Sequence, residues 1–478
     1  MAKSVKKNYI YNLIYEVLLL LTPLITTPYI SRVLQADGVG LYSYSYSIVS
    51  YFILLAGFGS ASYGKRQIAY CNGNKEKVTR VFYEVLIARL FFTLISIIIY
   101  LCFITTTTNR VLFLIQGLFL LAVAFDISWF FQGLEEFGKV VTRNIIVKIL
   151  NIVFIFLFVK EKNDLYIYIA GLSTMTLIGN ISIWPYLKKY IIRVSVISLR
   201  PLKHFKEMFQ LFIPTIAIQV YTVLDKTMIG IFSKDTVENG YYEQAEKIVK
   251  MVLTIITSLS TVMMPRISSI YAKGNMNAVK IYMYKSYRFV WMLGFPMVVG
   301  LMTVSDFFVP WFFGSGYGKV TTLISILAVL ILAIGVNTVT GQQFLISTNR
   351  QNFYTISVCI GALVNFCMNF MLIPKYYSIG ASIATVVAEI IICIVQFIYI
   401  SKKKLYSVSR SISSSIKYII SSIVMGGVIL LCKFMLKVSV FNTFLLIAIG
   451  IVAYFLTLLI LRDKLFKETI LQIIKKVT

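Results

Sequence analysis

The chain has 478 residues, of which 58% are hydrophobic and 14% are charged, and its mean hydropathy is +0.83. A soluble domain of this length needs a larger charged surface, so the composition excludes a soluble enzyme and favours a protein that lies in lipid. The formal net charge of +27 would indicate nucleic-acid binding in a soluble protein, but here the basic residues lie between apolar stretches and orient the chain.

Apolar stretches of transmembrane length follow one another along the chain, and they predict about fourteen membrane spans. In chain order they cover roughly 9–30, 39–61, 81–103, 111–133, 145–159, 165–186, 208–232, 248–268, 289–309, 320–341, 353–373, 379–400, 416–436 and 442–461. The first stretch is long, contains Glu16 and lacks a small-residue cleavage site, so we expect a retained span rather than a cleaved signal. The fold class predicted is therefore an all-α integral membrane protein.

The basic residues alternate with the spans in a way that predicts the orientation of the chain. With the N-terminus inside, about 30 of the 46 Lys and Arg residues fall in cytoplasmic segments, about 9 outside and about 7 within spans. An even number of crossings with both termini in the cytoplasm satisfies this distribution. We therefore expect a multi-pass protein of the bacterial plasma (inner) membrane, whose basic segments lie near anionic lipid.

The sequence repeats itself at an offset of about 200 residues. Gly40-Leu41-Tyr42 recurs as Gly240-Tyr241-Tyr242, Arg66 falls on Arg266, and Gly73-Asn74 falls one place from Gly274-Asn275. Each repeat holds six spans, so both halves have the same orientation and are parallel repeats, an arrangement typical of transporters that expose a cavity to alternate sides. We predict six-helix bundles over 1–205 and 206–405, followed by two extra helices and a basic tail over 406–478.

Ionisable residues inside spans are costly and often face a cavity or a partner. The deep cations Arg89 and Lys148, and less so Lys226, could neutralise a phosphate or pyrophosphate that crosses the hydrocarbon. The alternative for each is an internal ion pair, for instance between Glu84 and Arg89. The carboxylates of Glu16, Asp126, Asp225 and Glu389 are candidates for coupling to protons or sodium, or are permanently paired.

Aromatic and amide side chains near the spans allow two interpretations each. Trp129, which begins the stretch Trp129–Gly133 at the end of the fourth span, is an interfacial anchor or a platform for sugar rings. Asn144, Asn151, Asn365 and Asn369 line a cavity or form hydrogen bonds between helices.

Enzyme signatures are absent from the sequence, since it contains no HExxH, P-loop or GxSxG motif. The single histidine, His204, lies in a basic loop and is expected at the surface. The six cysteines form no CxxC pair, so neither a disulfide framework nor a metal cluster is predicted. We expect a protein that is not an enzyme and that uses no cofactor.

Six short stretches of the sequence form a recognisable set of motifs: Ser31–Leu34, Gly38–Ser43, Trp129–Glu135, Leu224–Gly230, Gly240–Val249 and Pro265–Ile267. Together they resemble the motifs of Wzx-type polysaccharide repeat-unit flippases, which belong to the multidrug/oligosaccharidyl-lipid/polysaccharide (MOP) superfamily and have a MATE-like fold. The resemblance covers about residues 1–400, and the two extra spans fit the fourteen-helix members of this MATE/MVF-like class. Gln35 stands where many relatives carry glycine.

The resemblance implies a flippase that moves undecaprenyl-pyrophosphate-linked oligosaccharide repeat units from the inner to the outer leaflet by alternating access. The product would feed capsule, O-antigen or cell-wall polysaccharide synthesis, with ion gradients or membrane potential as the energy source. Arg32 and Arg266 occupy matching motif positions, and Lys247 falls where lipid II flippases place a basic residue. The expected cationic cavity is thus lined by Arg32, Arg89, Lys148, Lys226, Lys247 and Arg266, with sugar contacts from Trp129, Asn151, Asn365 and Asn369.

The partners implied are membrane lipid, the polyprenyl-pyrophosphate-linked oligosaccharide and proteins of polysaccharide polymerisation and export, but no nucleic acid. Two other functions compete with the flippase. A MATE-like cation-coupled multidrug exporter would have an acidic cavity, whereas the charges within these spans are mixed and include deep cations. A polytopic glycan polymerase would carry a long outer loop with Arg or His, and the longest outer loop predicted, about 233–247, is too short for a domain.

Overall fold

The computed structural model describes residues 5–71, 73–195, 197, 199–233, 235–463 and 466. Within its helices, residues 5–17, 20, 214, 217, 218, 220, 221 and 261 are described by their backbone alone. Over this part of the chain the regular structure is helical and contains no β-strand, which confirms the prediction of an all-α protein.

The α-helices follow in the order of the predicted spans. They are α1 Val5–Gly57, α2 Ser60–Tyr70, α3 Lys75–Thr105, α4 Arg110–Gln116, α5 Leu118–Phe125, α6 Ser128–Gly133, α7 Phe137–Phe158, α8 Leu165–Ser182, α9 Phe205–Phe232, α10 Val237–Ala272, α11 Met276–Phe313, α12 Gly318–Leu327, α13 Leu330–Asn337, α14 Gln351–Lys402, α15 Val408–Ser413, α16 Ile416–Lys433 and α17 Val440–Ile460. Short 3-10 turns cover Lys162–Asp164, Trp184–Lys189 and Pro201–His204, and a π-helix covers Thr338–Ile346.

Helical segments long and apolar enough to cross a membrane number 11 among the described residues. Two of the helices, α1 and α14, have 53 and 52 residues, far more than the roughly 20 residues that one crossing takes. Each contains one residue with non-helical torsion angles, Gln35 in α1 and Tyr377 in α14. These breaks stand where the sequence predicts the loop between two spans.

The chain divides into two compact units, Met1–Gly230 and Ile231–Thr478. The repeat predicts a boundary at 205/206, at the beginning of α9, whereas packing assigns α9 as far as Gly230 to the first unit. The division into 1–205, 206–405 and 406–478 therefore remains a prediction from the repeat.

The repeated Gly-Asn pairs have the same local structure in both units. Gly73 and Gly274 have φ angles of 77° and 74°, in the left-handed region that glycine adopts without steric cost. The asparagines that follow cap α3 and α11, since Asn74 accepts from the Lys77 amide and Asn275 from the Ala278 amide, both at 3.0 Å. The repeat thus reflects shared structure at the beginning of two equivalent helices.

The core of the first unit near its basic loops is built around α6. Trp129, Phe130 and Phe131 are buried against α2 and α3, and the Trp129 ring stacks on Phe82 with 5.8 Å between centroids. Gly64 provides the space for the indole, because a Cβ there would lie 2.4 Å from Trp129 Cε3. Trp129 is only 2% exposed, so it is a core residue in this structure.

In the second unit, the C-terminal helices α16 and α17 pack along α11. Hydrogen bonds join them at several levels: Tyr454 donates to the Met292 carbonyl at 2.6 Å, and Trp311 Nε1 donates to Thr443 at 2.8 Å. At the end of α17 the buried Asp463 accepts from Arg288 at 3.1 Å. Helices α16 and α17 are therefore fixed along α11 within the second unit.

Candidate functional site

The fourth predicted span is interrupted, and the interruption exposes polar groups inside the first unit. Asp126 ends α5 in an extended conformation, and its Oδ1 accepts from the Ser128 amide at 3.0 Å and from the Ser128 hydroxyl at 2.5 Å. These two hydrogen bonds lie at the N-terminal end of the short helix α6. The carboxylate thus replaces helical hydrogen bonds that the break removes.

Arg89 extends from α3 to this break. Its Nη1 donates to the Asp126 carbonyl at 2.6 Å, and Nη2 lies 3.7 Å from Asp126 Oδ2. Arg89 is 4% exposed, so the guanidinium is held inside the helix bundle by one backbone and one side-chain group of the same residue. Asp126, a candidate for ion coupling, is in this structure the counter-ion of Arg89.

The ion pair suggested between Glu84 and Arg89 is wrong. Residues five apart on an α-helix point in directions roughly 140° apart, so Glu84 and Arg89 do not face each other. The Glu84 carboxylate instead lies 2.8 Å from Lys203 Nζ and 2.7 Å from His204 Nε2. The expectation of a surface histidine is wrong as well, because His204 is 4% exposed and closes over this carboxylate.

Arg143 joins the same region, and sequence reasoning missed it. Its Nη2 donates to the Ser128 hydroxyl at 2.6 Å, and its Nη1 donates to Asn180 Oδ1. Asn180 in turn donates to the Ala122 carbonyl at 2.7 Å. Because Arg143 precedes the apolar stretch of α7, hydropathy assigns it to a loop, where basic residues serve to orient the chain in the membrane. Two guanidinium groups and one carboxylate therefore lie around Ser128.

Lys148 has a different environment. It is half-buried in the middle of α7, and it has no ion pair or hydrogen bond among the described residues. Asn144 and Asn151, four residues before and three after it, share its face of the helix. The Oδ1 atom of Asn151 is buried and has no hydrogen-bond donor within the described part of the chain. This face of α7 thus combines a cation and an unused acceptor.

The other predicted cations lie at separate positions. Arg32 is exposed on α1, one turn before the break at Gln35, and Lys226 is half-buried on α9 beside the buried Asp225. In the second unit Lys247 Nζ lies 3.7 Å from Glu243 Oε1, and the exposed Arg266 lies over the Tyr282 ring at 4.7 Å. The side chain of Glu16 lies outside the described residues.

A half-buried amide at the end of α13 contacts a buried carboxylate on α14. Glu389 Oε2 accepts from Asn337 Nδ2 at 3.3 Å, at the end of α13 where the π-helix begins. Gln396 donates to Asn337 Oδ1 at 2.9 Å and to Ser357 Oγ at 3.0 Å. Glu389 thus belongs to a hydrogen-bonded polar layer inside apolar helices.

Asn365 and Asn369 extend this polar layer along α14. Both are fully buried, and Asn369 Nδ2 donates to Asn365 Oδ1 at 3.0 Å. Asn365 Nδ2 donates to Thr385 Oγ1 at 3.3 Å, across the break at Tyr377. The two asparagines therefore connect the halves of α14. The described residues contain no group of three or more His, Cys, Asp or Glu side chains that could hold a metal ion.

The comparisons with known proteins agree on one class. The sequence model of the family described as "Polysaccharide biosynthesis protein" matches residues 5–271. The chain is 24% identical over 415 residues to the "Putative O-antigen transporter" of Escherichia coli (strain K12), a match that covers 84% of this chain and 98% of the relative.

Solved structures share the fold. The lipid II flippase MurJ in an inward closed conformation superposes with a TM-score of 0.76 at 19% identity, covering 95% of this chain and 99% of that one. An inward-facing multidrug resistance MATE family transporter of the MOP superfamily gives a TM-score of 0.63 at 14% identity, covering 80% of this chain and 94% of that one.

Proposed function

The chain belongs to the polysaccharide biosynthesis protein family, and on that premise we propose that it is a flippase for lipid-linked oligosaccharide. The Wzx-like MOP-superfamily membership that the sequence motifs predict is borne out by the family match and the shared fold. The cargo proposed is an undecaprenyl-pyrophosphate-linked repeat unit, carried from the inner to the outer leaflet of the bacterial plasma membrane by alternating access. Capsule, O-antigen and cell-wall polysaccharides are all compatible glycans.

The observation that supports this proposal most is the environment of Lys148 inside α7. An ionised lysine inside a span is costly unless an anion accompanies it. Within the described residues no carboxylate pairs with Lys148, so a cargo phosphate would supply the counter-ion. Asn144 and Asn151 on the same face offer amide groups to sugar hydroxyls. We assign to this face of α7 the contact with the pyrophosphate and the first sugars.

Arg89 has a supporting place in this proposal. Its guanidinium is occupied by Asp126, so it acts by fixing the break between α5 and α6 rather than by touching the cargo. The indole of Trp129 is covered by protein, and sugar stacking there would require the ring to be uncovered. Arg32, Lys226, Lys247 and Arg266 remain proposed as further cations along the path of the anionic head group.

Glu389 is the proposed coupling residue. Its carboxylate is 6% exposed and accepts from the neutral Asn337 amide, and an ionisable group inside a span is typical of proton or sodium coupling. Asp126 is less suited, because its carboxylate is the counter-ion of Arg89, whose Nη2 lies 3.7 Å from Asp126 Oδ2. Asp225 is buried beside Lys226, and it remains the second candidate.

Fourteen crossings and cytoplasmic termini complete the proposal. If α1 and α14 each turn at their break and cross the membrane twice, the 11 long apolar segments give thirteen crossings. Helix α9, which has 28 residues, supplies the fourteenth crossing. The basic segments between them then lie on the cytoplasmic side.

The two alternative functions explain less. A drug exporter of the MATE type needs free carboxylates for cationic drugs, yet in the first unit Glu84 and Asp126 are each paired with a cation. Lys148, by contrast, is paired with no anion among the described residues. A polymerase needs an outer loop with catalytic groups, and α10 begins at Val237, which leaves only 233–236 between α9 and α10. We therefore propose a transporter rather than an enzyme.

Flipping in reconstituted liposomes tests the role of Lys148. A fluorescent polyprenyl-pyrophosphate oligosaccharide is placed in the inner leaflet, and an impermeant lectin detects its appearance outside. Lys148→Gln should slow flipping at least tenfold, and Lys148→Arg should retain most of it, because both cations neutralise phosphate. Lys160→Gln, at the exposed end just beyond α7, is the matched control and should be unaffected. Full activity of Lys148→Gln would remove this residue from the cargo path.

A further inference from the structure

The segment that connects the sixth predicted span to α9 differs in composition from the helices on either side. Residues 186–206, here called the connecting segment, contain six cations and no carboxylate. The cations are Lys188, Lys189, Arg193, Arg200, Lys203 and Lys206. The preceding apolar helical run ends at Lys189 and α9 begins at Phe205, so the segment lies at the level where the chain leaves and re-enters the membrane.

A buried carboxylate fixes the end of this segment. Glu84 of α3 is fully buried, and its Oε1 accepts from the Arg200 amide at 2.8 Å. Its Oε2 lies 2.8 Å from Lys203 Nζ and 2.7 Å from His204 Nε2. Because three donors of the segment converge on one carboxylate, the charge of Glu84 is compensated by the segment itself.

Further hydrogen bonds hold the segment on the helices below it. The second ring nitrogen of His204, Nδ1, bonds to the Tyr63 hydroxyl of α2. Near the beginning of the segment, the Ile192 amide donates to the buried Thr79 hydroxyl at 3.1 Å.

Tyr190 adds another hydrogen bond: its hydroxyl donates to Glu136 Oε1 at 2.8 Å and accepts from Lys139 at 2.7 Å. Burial and the Glu136 carboxylate raise the pKa of Tyr190 to about 12, so the hydroxyl keeps its proton at physiological pH. Side chains of α2, α3 and the α6–α7 region therefore position a segment that could otherwise move as a loop.

The outward side of the segment combines basic and apolar groups. All six cations are exposed, although Lys203 also reaches Glu84. Between them Ile197 is 97% exposed and Leu202 is 74% exposed, and Tyr186 and Ile192 are exposed as well. Basic side chains interleaved with exposed apolar ones are typical of surfaces that lie in the head-group region of a membrane.

We propose that the connecting segment is a preformed binding surface for anionic phospholipid of the cytoplasmic leaflet, held in place by Glu84 and His204. The cations meet the phosphate and glycerol groups, and Ile197 and Leu202 enter the boundary of the acyl chains. A nucleic acid or an acidic protein would pair with the cations but would leave these apolar side chains in water. The inference rests on the proposed orientation of the flippase, but it does not depend on which cargo is flipped.

Native mass spectrometry of the full chain in detergent tests the inference, with phosphatidylglycerol and phosphatidylcholine as the two lipids. The wild type should retain phosphatidylglycerol preferentially. The variant Lys188→Gln/Arg193→Gln/Arg200→Gln/Lys206→Gln should lose roughly tenfold or more of its phosphatidylglycerol affinity, and its phosphatidylcholine binding should not change.

A matched control removes the same charge elsewhere. Lys273, Lys402, Lys403 and Lys404 are exposed lysines of the second unit, and their combined change to glutamine should leave phosphatidylglycerol affinity within about twofold of wild type. An equal loss of phosphatidylglycerol affinity in the control would show an effect of net charge and would overturn the proposed binding surface. Equal binding of both lipids by the wild type would overturn it too.

Variants of the buried contacts test whether the surface is preformed. Glu84→Gln and the milder His204→Gln keep all six cations, yet both should lower phosphatidylglycerol affinity severalfold by releasing the segment. Unchanged affinity in both would reject this part of the inference. If soluble RNA displaces the lipid at matched charge, the surface is a general polyanion site and the proposal fails.

The side of the membrane is tested separately. Ser195→Cys should react with an impermeant thiol reagent only when the reagent is inside the vesicles. Reaction from outside would overturn the proposed orientation, and it would do so whatever the lipid measurements show.

Discussion

At the residue scale, two buried charges of the first unit, Arg89 and Glu84, stabilise irregular backbone. Arg89 donates to the carbonyl of Asp126, a group that loses its helical donor because α5 ends there. Glu84 accepts a hydrogen bond from the Arg200 amide and forms an ion pair with Lys203, both in the segment that precedes α9. Lys148 does neither within the described residues, and this contrast leads us to assign it to the cargo.

Removal of the Arg89 side chain should destabilise the protein. Arg89→Ala leaves the Asp126 carbonyl and carboxylate without their cation. The carboxylate is 31% exposed and keeps its Ser128 bonds, so we expect a loss of about 2 kcal/mol rather than the larger cost of a fully buried orphan charge. Thermal unfolding in detergent measures this loss.

A second substitution separates stability from cargo contact. Asp126→Asn in the Arg89→Ala background should recover part of the loss, because the unpaired charge is gone. Arg110→Ala, at an exposed arginine on α4, should leave the melting temperature unchanged. Unaltered stability of Arg89→Ala together with abolished flipping would mean that Arg89 touches the cargo directly.

Gly64 is the residue that allows Trp129 into the core. Gly64→Ala places a methyl group 2.4 Å from the indole and should destabilise the first unit by about 1–3 kcal/mol. Gly57→Ala is the matched control, because a Cβ at Gly57 meets nothing within 4 Å. Thermal unfolding of the two variants should differ clearly, and equal melting temperatures would show that the indole can move aside.

Residue contacts were the part of the site that the sequence predicted least well. Hydropathy locates Arg89 and Asp126 inside spans, but their contact joins residues 37 positions apart, and no periodicity encodes it. His204 looked exposed because its neighbours are basic, whereas the buried carboxylate that covers it belongs to a different helix. Lys148 could be proposed as a candidate from the sequence alone, since its isolation in an apolar stretch is a local property, and its role in cargo binding stays a prediction.

At the element scale, the apolar pattern predicts where helices lie but not where they break. The span predicted at 145–159 corresponds to α7, Phe137–Phe158, and that predicted at 442–461 corresponds to α17, Val440–Ile460. The span predicted at 111–133 is divided among α4, α5 and α6. Breaks at one or two residues scarcely change the hydropathy of a window, so only the structure reveals them.

Gln35 is strained at the break of α1. Its φ of 58° and ψ of −179° lie in a region that glycine adopts and other residues rarely do. Gln35→Gly should raise stability by about 1 kcal/mol, because the relief of strain exceeds the entropic cost of glycine.

A helical position provides the comparison for Gln35→Gly. Thr142→Gly, at an exposed site inside α7, should lower stability by a few tenths of a kcal/mol or more. Thermal unfolding of both variants is the measurement. If Gln35→Gly destabilises as Thr142→Gly does, the left-handed conformation at Gln35 is not a source of strain.

At the scale of the whole molecule, the proposed function requires one orientation of the chain in the membrane. The positive-inside distribution predicts that the segment after α14 lies in the cytoplasm and the connection between α3 and α4 outside. Ser409→Cys should therefore react with an impermeant maleimide only from inside, and Thr108→Cys only from outside. The wild type corrects for its native cysteines. Reversed labelling of either position would require a different topology.

We propose that the cargo is an anionic glycan lipid, and transport of two cargoes by one preparation separates this proposal from a drug exporter. Liposomes containing the protein are loaded with a polyprenyl-pyrophosphate oligosaccharide or with a lipophilic cation such as ethidium, under the same proton, sodium or voltage gradient. We expect protein-dependent appearance of the glycan outside and no transport of the cation. Transport of the cation while the glycan stays in the inner leaflet would contradict it and would establish a drug exporter on the same fold.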